Sequence, residues 1–197
     1  MTLKSRFKFY FPVVLDIETS GLDNQSNCIL EIAAQTITKY EGKFSPNKLF
    51  HEHVLPFEGA VLDQKAMDFH NIIPDHPFRY AAPEQEAIKK LNEWVYKEMK
   101  QAGYHRALLV AHNAHFDHGF VMAAMKRSQI KKPVFHQFTV IDTASLALLT
   151  IGESVLARAI QKARIKYDPK EAHSALYDTK ITTQLFCHIL NHTHYTP

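Results

Sequence analysis

Cysteine is scarce in this 197-residue chain: Cys28 and Cys187 are the only two, far apart and without the paired spacing of a zinc site. A cysteine-based metal module is excluded, and two buried reduced thiols are expected. No stretch reaches the roughly 18 to 20 consecutive apolar residues that a membrane span requires. The N-terminal MTLKSRFKFYF leads straight toward the first strand, without the apolar segment and small-residue cleavage site of a secretory signal. These absences point to a cytoplasmic protein with no membrane partner. Internal repeats, low-complexity tracts and linkers are missing too, so residues 1–197 are expected to form one domain. With 46% apolar and 11% aromatic residues, the chain can bury one sizeable core.

What the sequence does hold is acid in apolar settings. Asp16 and Glu18 end the buried-strand run of FPVVLDIETSGLD, where a period of two puts both carboxylates on one face. Asp117 lies in AHNAHFDHGF, and His173 precedes Asp178 by five residues in AHSALYDT, each at a helix start. A lone D-x-E is common on solvated strand ends, whereas three spaced acidic segments in matching contexts are hard to obtain by accident. Anions so close need cations. Magnesium, with manganese as its alternative, prefers carboxylate and water oxygens, and two such ions about 4 Å apart can hold the attacking and leaving oxygens of a phosphodiester. The carboxylates of Asp16, Glu18, Asp117 and Asp178 would offset the two divalent charges. His173, on a loop beside the last of them, can take the proton of the attacking water. The bland alternative for His173 is a satisfied structural histidine; the three acidic motifs tip the reading toward the base.

The charge balance gains meaning from that site. Lys and Arg number 23 against 20 Asp and Glu, a formal net charge of +3. If metal neutralises four of the acids, the remaining surface is basic enough to attract a polyanion. Basic residues gather in RFK near the N-terminus, around Lys100 and Arg106, and at Lys131 and Lys132; any one alone is ordinary solubilising surface. Other histidine groupings, His112/His115/His118 and His188/His192, permit zinc by spacing, but no cysteine or second histidine pair completes a tetrahedral set. They are read as structural, with His112 supporting the Asp117 loop. The aromatic FKFYF is read as core and strand-edge packing, and Phe116, directly before Asp117, as a base-stacking candidate.

The order of elements is α/β. FPVVL, ILEIAAQTI (29–37) and KLFHEHVL (48–55) read as an antiparallel meander, with turns in SGLDNQSN and EGKFSPN. A short helix near 64–70 follows, then a long amphipathic one from Pro83 to about Gln101, with Gly103 as its stop. ALLVA (107–111) is a buried strand, a helix runs over 115–127, VID (140–142) is a last short strand, and helices begin near Asp142, Ser154 and Ser174. This predicts a mixed five-stranded sheet flanked by helices.

The segments D-I-E-T, H-N-A-H-F-D and H-S-A-L-Y-D resemble the three motifs of the DEDDh exonuclease superfamily, and the chain over nearly its full length is similar to the ribonuclease T family within it. The resemblance implies a ribonuclease H-like fold, two magnesium ions, 3′ to 5′ removal of nucleotides, and a homodimer that trims 3′ ends of tRNA and other stable RNA precursors, including rRNA. It implies that Asp16, Glu18, Asp117 and Asp178 hold the metals and that His173, rather than a tyrosine, is the base. It further implies that Phe69, Phe116 and Phe138 stack on terminal bases, and that Arg6, Lys8, Lys100, Arg106 and Lys131 form the RNA-binding patch. Two positions depart from the pattern. Leu22 stands where the family typically has a stacking phenylalanine, and Lys65 where an acid is expected near the terminal base. A DNA-directed exonuclease of proofreading type, acting on single-stranded DNA, is the rival with the same chemistry; a noncatalytic RNA-binding protein is the rival of another class.

Overall fold

In the computed structural model, which describes residues 3–193, the run YFPVVLDIET forms β1 (Tyr10–Thr19). It is buried on both faces along most of its length, which is why its sequence is continuously apolar rather than alternating. β2 (Ile29–Tyr40) and β3 (Lys43–Leu55) continue antiparallel from it. Glu41 and Gly42 make the connection with φ of 47° and 83°, the positive values that a primed two-residue hairpin turn requires. The turn is therefore shorter than EGKFSPN suggests, and β3 starts five residues before the expected position 48. Ser45 and Pro46 lie inside it, paired with Thr38 and Ile37. Proline is tolerated there because β3 is an edge at that point: β4 (Ala82–Pro83) pairs only with Val54 and Leu55.

On the other side of β1, β5 (Arg106–Ala111) and β6 (Phe135–Asp142) add in parallel, giving the order β4-β3-β2-β1-β5-β6. The mixed sheet thus has six strands rather than five, the sixth being the two-residue β4. The N-terminus does not lead straight into β1: Leu3–Phe7 form a short helix, α1, and the Phe7 ring lies 6.1 Å from that of Phe186.

Helices cover both faces. α2 (Gln64–His70) starts at Asp63, whose side chain accepts from Lys65 N, and stops at Asn71 in the left-handed conformation. α3 (Glu84–Gln101) and α4 (His115–Arg127) pack over Val13, Leu15 and Ile17. α7 (Ala175–His192) covers the opposite face through Phe186, Cys187 and Leu190, against Val14, Ile37 and Val110. Both cysteines are buried and free. The start of α3 and the end of α4 are tied by Arg127, which donates to both Glu84 oxygens at 2.9 and 2.8 Å and lies 4.2 Å over the Phe57 ring. Glu84 is buried, so removing Arg127 would leave an unpaired interior charge, a loss of about 3–5 kcal/mol.

α5 (Thr143–Ile151) and α6 (Leu156–Lys162) together have the length and mean hydropathy, 1.3, of a membrane-crossing segment, which the sequence reading did not anticipate. The helix breaks at Gly152, whose φ is 71°, and neither piece approaches spanning length. Ala147 of α5 and Ile160 of α6 instead pack against Ile181 and Leu185 of α7.

Candidate active site

Period two along β1 turns Asp16 and Glu18 toward the face covered by α7, the side on which Val14 packs. Glu18 stands opposite Glu31 of β2, and the register shifts just beyond it, between Glu18 and Thr19. Asp178 occupies the first turn of α7, and its oxygens come within 4.8 Å of those of Asp16 and Glu18. Asp117 arrives in the first turn of α4, nearly fully buried, its carboxylate accepting from its own N–H and that of Ile17. Of the neighbouring charges, Asp117 acts most strongly on Asp16.

Such crowding is electrostatically costly. Burial first, then Asp117, Asp178, Glu18 and Glu31, raise the Asp16 pKa well above its ordinary value. Burial and the repulsion of Asp178, Glu31 and Asp117 push Glu18 up to about 8. Burial, aided by Asp142, takes Asp117 to about 8 as well, and burial also raises Asp178. Four acids cannot all ionise here without positive charge among them. An oxygen-only donor set at the end of a rigid strand suits a hard divalent cation, which would restore the ionised forms.

His173 is exposed and its backbone has φ of 67°. Its N–H donates to Asp178 Oδ2 at 2.9 Å, while its ring lies against Phe69, centroids 4.1 Å apart. The five-residue spacing thus ties His173 to Asp178 through the backbone. Phe69, on α2, and Phe116, on α4, line a cavity of about 360 Å³ with Glu18, Lys65 and Leu22, the last 86% exposed. Phe138 is not brought into that cavity. It stands on β6, 78% exposed, in a separate cleft with Asn24, His118 and Lys126.

The basic positions lie at the other end of the sheet. Arg106 begins β5 directly beside Tyr10 at the start of β1, Arg6 and Lys8 immediately precede that strand, and Lys100 ends α3. Lys131 is exposed in the loop that leads to β6. Six residues of extended strand separate Tyr10 from Asp16, about 20 Å at roughly 3.3 Å per residue.

Two supporting acids escaped the sequence reading. Glu31 lies in the apolar run ILEIAAQTI, where it looks like an interruption of a strand. Its carboxylate accepts from His51 Nε2 at 2.7 Å, Ser174 Oγ at 3.3 Å, and the N–H groups of Ala175 and Leu176 at 3.3 and 3.4 Å. Burial pushes its pKa up, but the His51 hydrogen bond and the nearby histidine charges more than offset this, so it stays below its ordinary value. Asp142 was expected only at a helix start. It does cap α5, accepting from Ala144 N, Ser145 N and the Ser145 hydroxyl, but it also accepts from Asn113 N at 2.8 Å and Ala114 N at 3.3 Å. It thereby fixes the turn from which α4 delivers Asp117. His112 joins the same corner, with Nε2 2.8 Å from Ser154 O and Nδ1 3.1 Å from Thr143 Oγ1.

Residues 13–186 match the exonuclease family model named for ribonuclease T. The ribonuclease T of Photobacterium profundum is 50% identical over 192 residues, covering 96% of this chain and 86% of its own. The chain belongs to the ribonuclease T family of exonucleases. That of Yersinia enterocolitica is 47% identical over 190 residues, covering 96% of this chain and 88% of its own. Among solved structures, the nuclease domain of 3′hExo, a DEDDh family member bound to rAMP, superposes with a TM-score of 0.72 at 17% identity over 92% of each chain. E. coli exonuclease I in complex with a dT13 oligonucleotide gives 0.70 at 14% identity, over 90% of this chain and 40% of that one. At such identities the structural likeness speaks for the ribonuclease H-like fold. Membership of the ribonuclease T family makes the protein a 3′ to 5′ exoribonuclease that uses divalent metal.

Proposed function

We propose that this ribonuclease T family member trims 3′ ends of tRNA and rRNA precursors with two magnesium ions, which manganese can replace, as a cytoplasmic homodimer. The observation that carries the metal reading is the convergence of carboxylate oxygens from β1 and α7 within 4.8 Å, with Asp117 of α4 beside them. Asp16, Glu18, Asp117 and Asp178 are the residues that would hold the metals. When bound, the ions supply positive charge to the attacking and leaving oxygens of the phosphodiester.

The chain's own side chains do the rest. Phe69 and Phe116 offer ring faces to the terminal bases, with Leu22 beside them and Phe138 stacking farther out along the strand. His173 takes the proton of the attacking water, its loop anchored by the backbone bond to Asp178 while its ring turns between Phe69 and the scissile phosphate. Arg6, Lys8, Lys100, Arg106 and Lys131 bind the RNA backbone. Their place at the far end of the sheet, about 20 Å from the acids, supports a dimer in which the patch of one subunit serves the site of the other.

A 5′-labelled single-stranded RNA and the same sequence as DNA, each incubated with magnesium, manganese or chelator, test the reading. A ladder of 3′-shortened RNA that vanishes with chelator is expected, together with faster removal of the extension from a 3′-extended tRNA than attack on mature tRNA. Faster digestion of DNA under every condition would favour the proofreading-type alternative.

A further inference from the structure

Next to the four acids, and on the same face of the sheet, Glu31, His51 and His53 bring one carboxylate oxygen and two imidazole nitrogens within 4.8 Å of one another. Strand pairing dictates this grouping. Glu31 stands directly opposite His53 across β2 and β3, and His51, two residues earlier, projects from the same side of the strand. The two rings meet edge to face with centroids 4.8 Å apart. His53 Nδ1 is buried and has no hydrogen-bond partner, although buried ring nitrogens ordinarily find one.

We propose that Glu31, His51 and His53 form a second cation site, for a transition metal of the zinc class, separate from the catalytic carboxylates. The donor atoms distinguish the two sites. Two imidazoles and one carboxylate suit zinc, cobalt or nickel, whereas magnesium favours all-oxygen surroundings. Three protein donors leave positions for water, as in other two-histidine, one-carboxylate zinc sites. The catalytic carboxylates share this face of the sheet, with Glu18 standing directly opposite Glu31. Arg79, whose guanidinium donates to the carbonyls of Pro74 and Leu30 at 2.7 and 2.5 Å, keeps its positive charge near His53 and so lowers the affinity that the three donors alone would give. Glu31 also accepts from the first N–H groups of α7, so a cation that replaced the proton His51 Nε2 shares with its carboxylate would staple β2 and β3 to that helix.

Cobalt(II) serves as the spectroscopic probe. The background is the full chain carrying Asp16→Asn and Glu18→Gln, which disable the carboxylate site. It also carries His188→Ala, because His188 and His192 stack at 4.1 Å and their spacing of four can itself hold zinc. Binding of one equivalent of cobalt with visible d–d absorption is expected, displaced by zinc and not by excess magnesium, and zinc should raise the melting temperature. His51→Ala and His53→Ala, made singly in that background, should each weaken cobalt binding at least about tenfold. Replacing His51 strips buried Glu31 of a partner and can unfold the strand pair, so His53→Gln, which leaves that partner in place, is measured beside it with circular dichroism as the check of fold. Absence of cobalt binding in the background, or unchanged affinity in folded His53→Gln, overturns the proposal.

Discussion

Asp117→Asn should make the metal-free protein more stable while nearly abolishing its activity. The carboxyl is raised from an ordinary 3.8 to about 8, with burial the main cause. A raised carboxyl means that the folded chain binds the proton more tightly than the unfolded one. Its stabilising contribution is complete below about pH 4 and is lost as pH rises through about 8. At roughly 1.4 kcal/mol per tenfold change in proton affinity, the ceiling on that loss is on the order of 5 kcal/mol. Asp16 is raised by the same proximity and the two titrate as a pair, so Asp117→Asn recovers only part of that ceiling. An amide keeps an oxygen that can accept from Ile17 N–H and carries no charge, so it escapes the loss. For a chain of this size the gain corresponds to several degrees in melting temperature. The assay is thermal unfolding of chelator-treated parent and variant at several pH values. The variant should melt higher at pH 8, with the gap closing toward pH 4. Added magnesium should stabilise the parent at pH 8 and the variant much less. A variant that melts no higher than the parent at pH 8 without metal, or a gap independent of pH, would refute the electrostatic account of the site.

Replacing His173 by Ala should lower turnover about a hundredfold or more while magnesium affinity stays within about twofold, measured by single-turnover cleavage and metal titration; parental turnover would remove His173 from proton transfer. Leu22→Phe should lower the apparent KM on short RNA, because a stacking ring adds on the order of 1–3 kcal/mol per base; a raised KM would show that the cavity is shaped around leucine. The trans arrangement is tested by mixing two inactive homodimers, one with Arg6, Lys8, Lys100, Arg106 and Lys131 changed to Ala and the other with Asp16→Asn. Exchanged heterodimers should recover up to about half the parental activity and lose it steeply with salt; verified heterodimers that remain inactive would exclude delivery in trans.

The acids were readable in sequence because their placement is local. A strand's period of two puts Asp16 and Glu18 on one face wherever the strand lies, and Asp117 and Asp178 fall in first helical turns that the surrounding chain announces. The helix boundaries at Asp63 and Asp142 were legible for the same reason, since capping chemistry acts over three or four residues. The extra length of β3 was not, because Lys43 to Asn47 gain strand character only by pairing with β2 across the hairpin. Nor could sequence separate Phe138 from Phe116, whose rings are divided between two cavities by where β6 and α4 end up. Glu31 and its histidines are the clearest case. In sequence they are an acid in an apolar run and an H-x-H in a strand, and only the β2–β3 register with the docking of α7 makes them neighbours of the site. The sequence by itself thus determined which residues carry charge at element ends and which face they take, because that chemistry is short-ranged. The tertiary structure alone decided that the acids meet at one end of the sheet and the basic residues at the other, because strand order and helix docking depend on contacts between segments far apart in the chain.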